Sequence, residues 1–190
     1  EAVILLEGVA RTGGLSATSA IHMNVFGVNV VAKHGHDEMR AATIPAVIKG
    51  QMKVAFGVTE PDAGLDTAAI RTRAERVGGK WRVNGRKVWI STAQVADKIL
   101  LLTRSADPRP GRSKFDGLTL FFTELDRTRI DVREIRKAGR AAVDSNELFI
   151  DDLIVDDADV VGEPGEGFKL LLDGLNPERL LVASEAVGIG

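Results

Sequence analysis

The chain has 190 residues, 44% of them hydrophobic and 27% charged, which is the composition of a folded domain and not of a disordered segment. Its formal charge is −2 with acidic and basic residues interspersed, which argues against nucleic acid or an anionic membrane surface as a partner. Cysteine is absent, which excludes disulfide bonds and thiolate metal sites, and no apolar run is long enough for a transmembrane helix.

The first segment, residues 1–52, has the pattern of helices. Small and apolar residues alternate with short polar stretches, and Gly13-Gly14 interrupts the run. Asp37-Glu38 is typical of a helix start, because acidic residues suit the first turn. We therefore expect this segment to be entirely α-helical.

Short β-type runs fill residues 53–162, and the turns between them are rich in Gly, Pro, Asp and Asn. Gly78-Gly79 and Asn84-Gly85 are both predicted as turns, and Asn84-Gly85 carries a hairpin signature, since both of its residues tolerate positive φ. Strands at this spacing indicate a barrel or a sandwich. The runs predicted as strands are Val54–Val58, Trp81–Val83, Val88–Ile90, Ile99–Thr103, Leu118–Phe122 and Glu147–Ile150.

Helical periodicity returns in residues 163–190, after the turn that ends at Gly165. Helices, then strands, then a helix predict an α+β fold with a β domain between helical parts, and disfavour a Rossmann sheet. Because the chain lacks an initial methionine and stops within a helical pattern, we expect it to be an excerpt of a longer one. The apolar residues expected on one side of the last helix are Phe168, Leu171, Leu172, Leu175 and Val182.

Two short motifs could carry chemistry. The first runs from Val58 to Asp66 and ends a strand in a turn, where Thr59 offers a hydroxyl and Gly64 permits close backbone approach. In the second, Trp89 and Ser91 are two residues apart in a strand and should share a face. Each motif alone fits a plain turn or a core tryptophan as well as it fits the wall of a cofactor site.

Together the two motifs resemble the acyl-CoA dehydrogenase family, in which V-T-E-P-x-A-G-x-D precedes N-G-x-K-x-W-I-[ST]. The second element here reads Asn84-Gly85-Arg86-Lys87-Val88-Trp89-Ile90-Ser91. The resemblance covers nearly the whole chain, including His34-Gly35, Lys137-Ala138-Gly139-Arg140 and Glu147-Leu148-Phe149. It implies a middle β-barrel domain, residues 53–162, between the end of an N-terminal helical domain, residues 1–52, and the start of a C-terminal helical bundle, residues 163–190.

The resemblance implies FAD as the cofactor. Thr59 would bond the edge of the isoalloxazine ring, Trp89 would flank the ring, and the hydroxyl of Ser91 would face flavin N5. Leu65 departs from the family, which most often has serine there, so either main-chain groups or Thr67 would replace that hydroxyl, or the acyl-CoA would bind in a different pose. The full set of implied cofactor residues is Phe56, Val58, Thr59, Gly64, Leu65, Trp89, Ile90 and Ser91.

Glu178 is the candidate catalytic base. It lies in Asn176-Pro177-Glu178-Arg179-Leu180, which resembles the x-E-R-L pattern of the isovaleryl-CoA and long-chain enzymes. In other members the base lies in a segment beyond this chain. Alternatively, Pro177 marks a first helical turn and Glu178 is a solvated residue that suits the helix dipole. Asn176, Arg179 and Ser113 are the implied substrate-binding residues.

By resemblance, the activity is FAD-dependent conversion of an acyl-CoA to trans-2-enoyl-CoA, with electrons passed to an electron-transferring flavoprotein. A homotetramer is implied, in a bacterial cytoplasm or a mitochondrial matrix. The alternatives are a flavin oxidase or monooxygenase on the same scaffold, and a non-catalytic acyl-CoA or flavin-binding module. No metal site is expected, since the histidines and the Asp151-Asp152 and Asp156-Asp157 pairs lack ligand spacing.

Overall fold

The computed structural model describes residues 1–12, 14–139 and 142–190, and it begins with helices, as predicted. The last of these begins at Asp37, where the side chain of His36 accepts a hydrogen bond from the main-chain N–H of Met39. The interruption predicted at Gly13-Gly14 falls between two helices, although Gly13 itself lies outside the described residues. The bounds are α1 Ala2–Arg11, α2 Leu15–His22, α3 Val28–His34 and α4 Asp37–Ile48.

The strands of the described residues form one mixed sheet. They are β1 Val54–Gly57, β2 Arg73–Val77, β3 Lys80–Ile90, β4 Lys98–Arg104, β5 Leu118–Glu124, β6 Ile130–Glu134, β7 Asn146–Val155 and β8 Val160–Val161. The order across the sheet is β6-β7-β3-β2-β4-β5-β8, and β1 pairs with β4. Only β1 and β2 lie parallel to β4, and the other ladders are antiparallel.

Strand β4 separates two apolar cores, because successive side chains of a strand point to opposite faces. Ile99 and Leu101 point into a core that the sheet encloses, with residues of β3 and β7 on its far side. Leu100 and Leu102 point into a second core, against the helices. The sheet therefore bends around one core and carries helices on its outer face, which confirms the predicted α+β arrangement.

The turn predicted at Gly78-Gly79 is present, and the hairpin predicted at Asn84-Gly85 is wrong. Gly78 and Gly79, both at positive φ, connect β2 to β3. Asn84-Gly85 instead lies inside the continuous strand β3, where the register with β7 shifts. A Cβ on Gly85 would lie 2.6 Å from the Cα of Thr72, so glycine serves close packing at this position and not a turn.

The closing helix, α5 Gly167–Ile189, begins after the predicted turn and runs unbroken through Pro177. Pro177 is therefore inside the helix and not in a first turn, contrary to the alternative for Glu178. Leu171 is fully buried as expected, whereas Val182 is exposed, so the apolar side predicted for this helix is only partly right. None of the described helices is long and apolar enough to cross a membrane.

Candidate functional site

A cavity of about 400 Å³ lies where β1 and β3 end beside α5. This volume, with apolar walls and a few polar groups, is typical of a site for a small molecule. Seven predicted cofactor residues and one predicted substrate residue line it together: Phe56, Val58, Thr59, Gly64, Leu65, Trp89, Ser91 and Arg179. Met23, Phe26, Val54, Thr67, Thr92 and Leu175 complete the lining of what we call the main cavity.

The two sequence motifs are joined by hydrogen bonds between Thr59 and Val88. The Val88 N–H donates to the carbonyl of Thr59 at 3.0 Å, and the Thr59 hydroxyl donates to the carbonyl of Val88. The hydroxyl proton of Thr59 is thereby engaged, so its oxygen remains able to accept a hydrogen bond from a ligand. Two segments that are separate in sequence thus form one wall.

Beneath this wall lies a buried ion pair between Lys87 and Glu60. The ammonium of Lys87 donates to Glu60 Oε1 at 2.8 Å, to the carbonyl of Val58 at 3.0 Å and to that of Leu102 at 2.7 Å. Burial lowers the pKa of Lys87 to about 8, against the opposing charge of Glu60. Burial also acts to raise the pKa of Glu60, but Lys87 and two main-chain N–H donors hold it below its ordinary value.

Sequence reasoning missed this pair, although both residues stand inside the quoted motifs. The usable signal was a lysine directly before the apolar run Val88–Ile90, since Lys is almost never fully buried without a partner. Neither its depth nor its partner could be derived from spacing alone.

Trp89 and Ser91 reach the main cavity through a distortion of the strand. Trp89 has φ of +62°, and the register between β3 and β7 shifts between Lys87 and Ile90. A non-glycine residue in this conformation is strained, and such strain concentrates at functional sites. The alternation of side chains along a strand therefore predicts that Trp89 and Ser91 lie together, but it does not predict the distortion of β3 that brings them there. The side chain of Ile90 points into the enclosed core, so any contact of Ile90 with a ligand would have to use its main chain.

Glu178 is a buried carboxyl group on α5. Glu178 is only 4% exposed, and its Oε1 has no hydrogen-bond partner among the described residues. Burial raises its pKa to about 7, opposed by a hydrogen bond from the backbone of Gly27. Glu178 is not itself among the lining residues of the main cavity, but Leu175 and Arg179, on the same helix, are. The solvated glutamate of the alternative interpretation is thus wrong.

Two predicted substrate residues lie outside the main cavity. Asn176 is exposed, and its carboxamide oxygen accepts a hydrogen bond from Arg179 at 2.9 Å. Ser113 lines a separate cavity of about 440 Å³, in which the rings of Phe115 and Phe168 stack at 3.7 Å. The structure therefore gathers Arg179 with the cofactor residues and leaves Ser113 apart.

Known proteins match this chain along its length. The sequence pattern of the family described as "Acyl-CoA dehydrogenase, middle domain" matches residues 55–153. Glutaryl-CoA dehydrogenase of Desulfococcus multivorans is 32% identical over 190 residues, which cover 99% of this chain and 48% of that protein. The chain thus spans about half the length of this relative.

Solved structures share the fold. An acyl-CoA dehydrogenase from Geobacillus kaustophilus superposes with a TM-score of 0.88 at 31% identity, over 97% of this chain and 48% of that one. A glutaryl-CoA dehydrogenase from Mycobacterium smegmatis, in complex with FADH2, gives a TM-score of 0.76 at 27% identity, over 86% of this chain and 40% of that one. The arrangement of helices around a middle sheet is therefore that of a known fold.

Proposed function

We propose, because this chain belongs to the acyl-CoA dehydrogenase family, that it helps to convert an acyl-CoA thioester to trans-2-enoyl-CoA with FAD as cofactor. The observation that carries the proposal is the buried carboxyl of Glu178, which lacks a hydrogen-bond partner among the described residues, on the helix that closes the main cavity. FAD, when bound, supplies the acceptor for hydride. The residues of this chain would bind the flavin, orient the thioester and remove a proton from it.

The lining of the main cavity fits a flavin ring. Trp89 is 61% exposed and offers a large aromatic surface at the cavity edge. The hydroxyl of Ser91 makes no hydrogen bond to the described residues, so it can donate to a ring nitrogen, and the oxygen of Thr59 can accept from a ring N–H. Thr67 lines the cavity beside Leu65. We therefore propose that Thr67 supplies the hydroxyl that serine provides in the family and that Leu65 lacks.

Glu178 is proposed as the base that removes the α-proton of the thioester. A carboxyl group with a pKa near 7 is partly ionised at neutral pH and is a stronger base than a solvated glutamate. Its unpartnered oxygen can accept a proton without first breaking a hydrogen bond. Arg179, held by Asn176, brings a positive charge to the lining of the main cavity, where we propose that it contacts the substrate. Ser113 is proposed at the nucleotide end of CoA, beside the stacked Phe115 and Phe168.

The proposed partner is an electron-transferring flavoprotein, which would take the electrons from reduced FAD. We also propose a homotetramer, in the bacterial cytoplasm or in the mitochondrial matrix of a eukaryote. An acyl-CoA oxidase would differ in letting oxygen reach the reduced flavin. Anaerobically reduced protein that stays reduced for minutes after mixing with air-saturated buffer would favour the dehydrogenase.

The decisive test is Glu178→Gln in the full-length protein loaded with FAD. We expect anaerobic bleaching of the flavin by acyl-CoA to slow by roughly 10²–10⁴-fold, because the general base is lost. The yellow cofactor should remain bound, since Glu178 does not line the main cavity. Glu7→Gln, on α1, serves as the matched control. Bleaching at the control rate in Glu178→Gln would contradict the assignment and move the base elsewhere.

A further inference from the structure

A second cavity of about 310 Å³ adjoins the main cavity. Met23 and Ser91 line both, so they stand at the boundary between the two spaces. We call this second space the inner cavity. Polar side chains of His22, Lys137 and Ser145 contribute to its lining. No role in the function proposed above involves these three residues.

His22 is the most unusual group of the inner cavity, because it is an almost fully buried imidazole. It is 1% exposed, and its ring stacks on Phe26 with 4.7 Å between centroids. Its Nδ1 is hydrogen-bonded to the carboxylate of Glu185, on α5, which is 2% exposed. His22 lines the inner cavity, and Phe26, on which its ring stacks, lines the main cavity.

The hydrogen bond to Glu185 determines whether Nε2 of His22 donates or accepts a hydrogen bond. A carboxylate is an acceptor, so Nδ1 carries the proton and Glu185 holds the ring in one orientation. Among the described residues, Nε2 of His22 has no hydrogen-bond partner. A nitrogen of this kind, on a buried ring that lines a cavity, favours the binding of a ligand that offers it a hydrogen bond and disfavours a ligand that does not.

We propose that the inner cavity receives the far end of the acyl group and that this end carries an oxygen, as a hydroxyl or a carboxylate. The inference rests on the acyl-CoA chemistry proposed above and narrows its substrate. The oxygen would hydrogen-bond to Nε2 of His22, which can accept from a hydroxyl or, when the ring is protonated, donate to a carboxylate. Glu185 is then a positioning residue that sets the tautomer of His22.

The neighbours of His22 suit an oxygen better than a methyl group. The ammonium of Lys137 already donates to the carbonyl of Val143 and brings a positive charge to the lining. Ser19, whose hydroxyl donates to the carbonyl of Leu15 at 2.7 Å, can still accept a hydrogen bond. A methyl-ended chain would leave Nε2 without a partner, and sites built to hydrogen-bond a substrate hydroxyl discriminate strongly against analogues that lack it.

The first test compares acyl-CoA substrates of matched length in the full-length protein loaded with FAD. At each length from four to eight carbons (about the range that a cavity of this size can hold), the methyl-ended, hydroxyl-ended and carboxyl-ended thioesters are mixed anaerobically and flavin bleaching is followed. We expect an oxygen-ended substrate to exceed its methyl-ended partner at least about tenfold in kcat/KM at the best length. Comparison of the hydroxyl-ended with the carboxyl-ended thioesters shows which of the two groups the inner cavity prefers.

His22→Leu should abolish this preference while methyl-ended substrates still bleach the flavin. His34→Leu is the matched control, because His34 lines neither cavity. The proposal would be overturned if methyl-ended substrates were preferred at every length, or if the preference for an oxygen-ended substrate were unchanged in His22→Leu. Bleaching by no acyl-CoA at all would instead contradict the proposed function.

A second measurement needs neither turnover nor a substituted protein. The imidazole ¹⁵N resonances of His22 are followed while the free hydroxy acid or dicarboxylic acid of the best length is added. Binding at Nε2 should shift that resonance, and the matched monocarboxylic acid should not shift it. Equal shifts with all three acids, or none with any, would count against the proposal even if His22→Leu failed to fold.

Discussion

Lys87 is a buried cation in which each ammonium proton has an acceptor, and those acceptors belong to two segments of the chain. Val58 precedes the first motif's turn, Glu60 is in that turn, and Leu102 lies in β4. The ammonium therefore fixes the distance between the segments that form the cavity wall. A neutral residue of similar size could fill the space but could not hold these three oxygens.

Lys87→Met should lower the free energy of unfolding by about 3–5 kcal/mol, because Glu60 would be left as an unpaired buried charge. Adding Glu60→Gln should recover part of this loss, and urea denaturation of both single variants and the double variant measures the coupling. Lys80→Met, which removes the exposed pair with Asp156, should cost less than about 1 kcal/mol. If the changes in unfolding free energy caused by Lys87→Met and Glu60→Gln were strictly additive, Lys87 and Glu60 would have no interaction energy and the prediction would be wrong.

Glycines mark three of the close contacts that helix α5 makes with other elements. Gly167 faces the backbone of β5, Gly174 faces Val30 of α3, and Gly188 faces the backbone of Glu7 in α1. A side chain at Gly188 would meet the carbonyl oxygen of Glu7, which cannot move aside as a flexible side-chain end can. Close approach, and not backbone conformation, is the reason for glycine there.

Gly188→Ala should therefore destabilise the protein by about 1–3 kcal/mol through overpacking, although alanine favours the helix. The matched control is Gly8→Ala in α1, where a Cβ would meet nothing within 4 Å. That variant should gain about 0.5–1 kcal/mol from alanine's higher helix propensity and the reduced entropy of the unfolded chain. Thermal unfolding of both variants checks the pair, and equal effects would contradict the packing argument.

The sequence predicts elements better than it predicts the contacts between them. Periodicity located most strands and α5, and two motifs identified six of the fourteen described residues that line the main cavity, because those signals are local. The Asn84-Gly85 hairpin failed because pairing with β7 and contact with Thr72 override a local turn preference. The Lys87–Glu60 and His22–Glu185 pairs join residues that are distant in the sequence, so no spacing rule could find them.

The molecule as a whole contains a conflict between stability and the proposed chemistry at Glu178. A carboxyl whose pKa is raised by folding stabilises the protein fully below the ordinary glutamate pKa, and that contribution is lost as the pH rises through about 7. Near neutral pH the folded protein thus carries a charge that burial disfavours. Functional groups often lower stability in this way.

Glu178→Gln should consequently become more stable than the natural protein as the pH rises. The difference in unfolding free energy should grow by up to about 3 kcal/mol between pH 4.5 and pH 8, as follows from a pKa near 7. Urea denaturation at a series of pH values measures it. The groups that both proteins share, such as Lys87 and Glu60, cancel in the comparison. A difference that stays constant with pH would show that Glu178 does not titrate as described.

The two-sided burial of β4 also determines when a cofactor could first bind during folding. Its run Ile99–Leu102 is covered on one face by β3 and β7 and on the other by helices from both ends of the chain. The β3–β7 ladder pairs residues as distant as Trp81 and Val155, and such long-range pairing forms slowly. Until it forms, β4 and β5 present apolar strands to other molecules, and the wall that we propose for the flavin is incomplete. A cofactor that binds the main cavity can therefore stabilise only the folded protein.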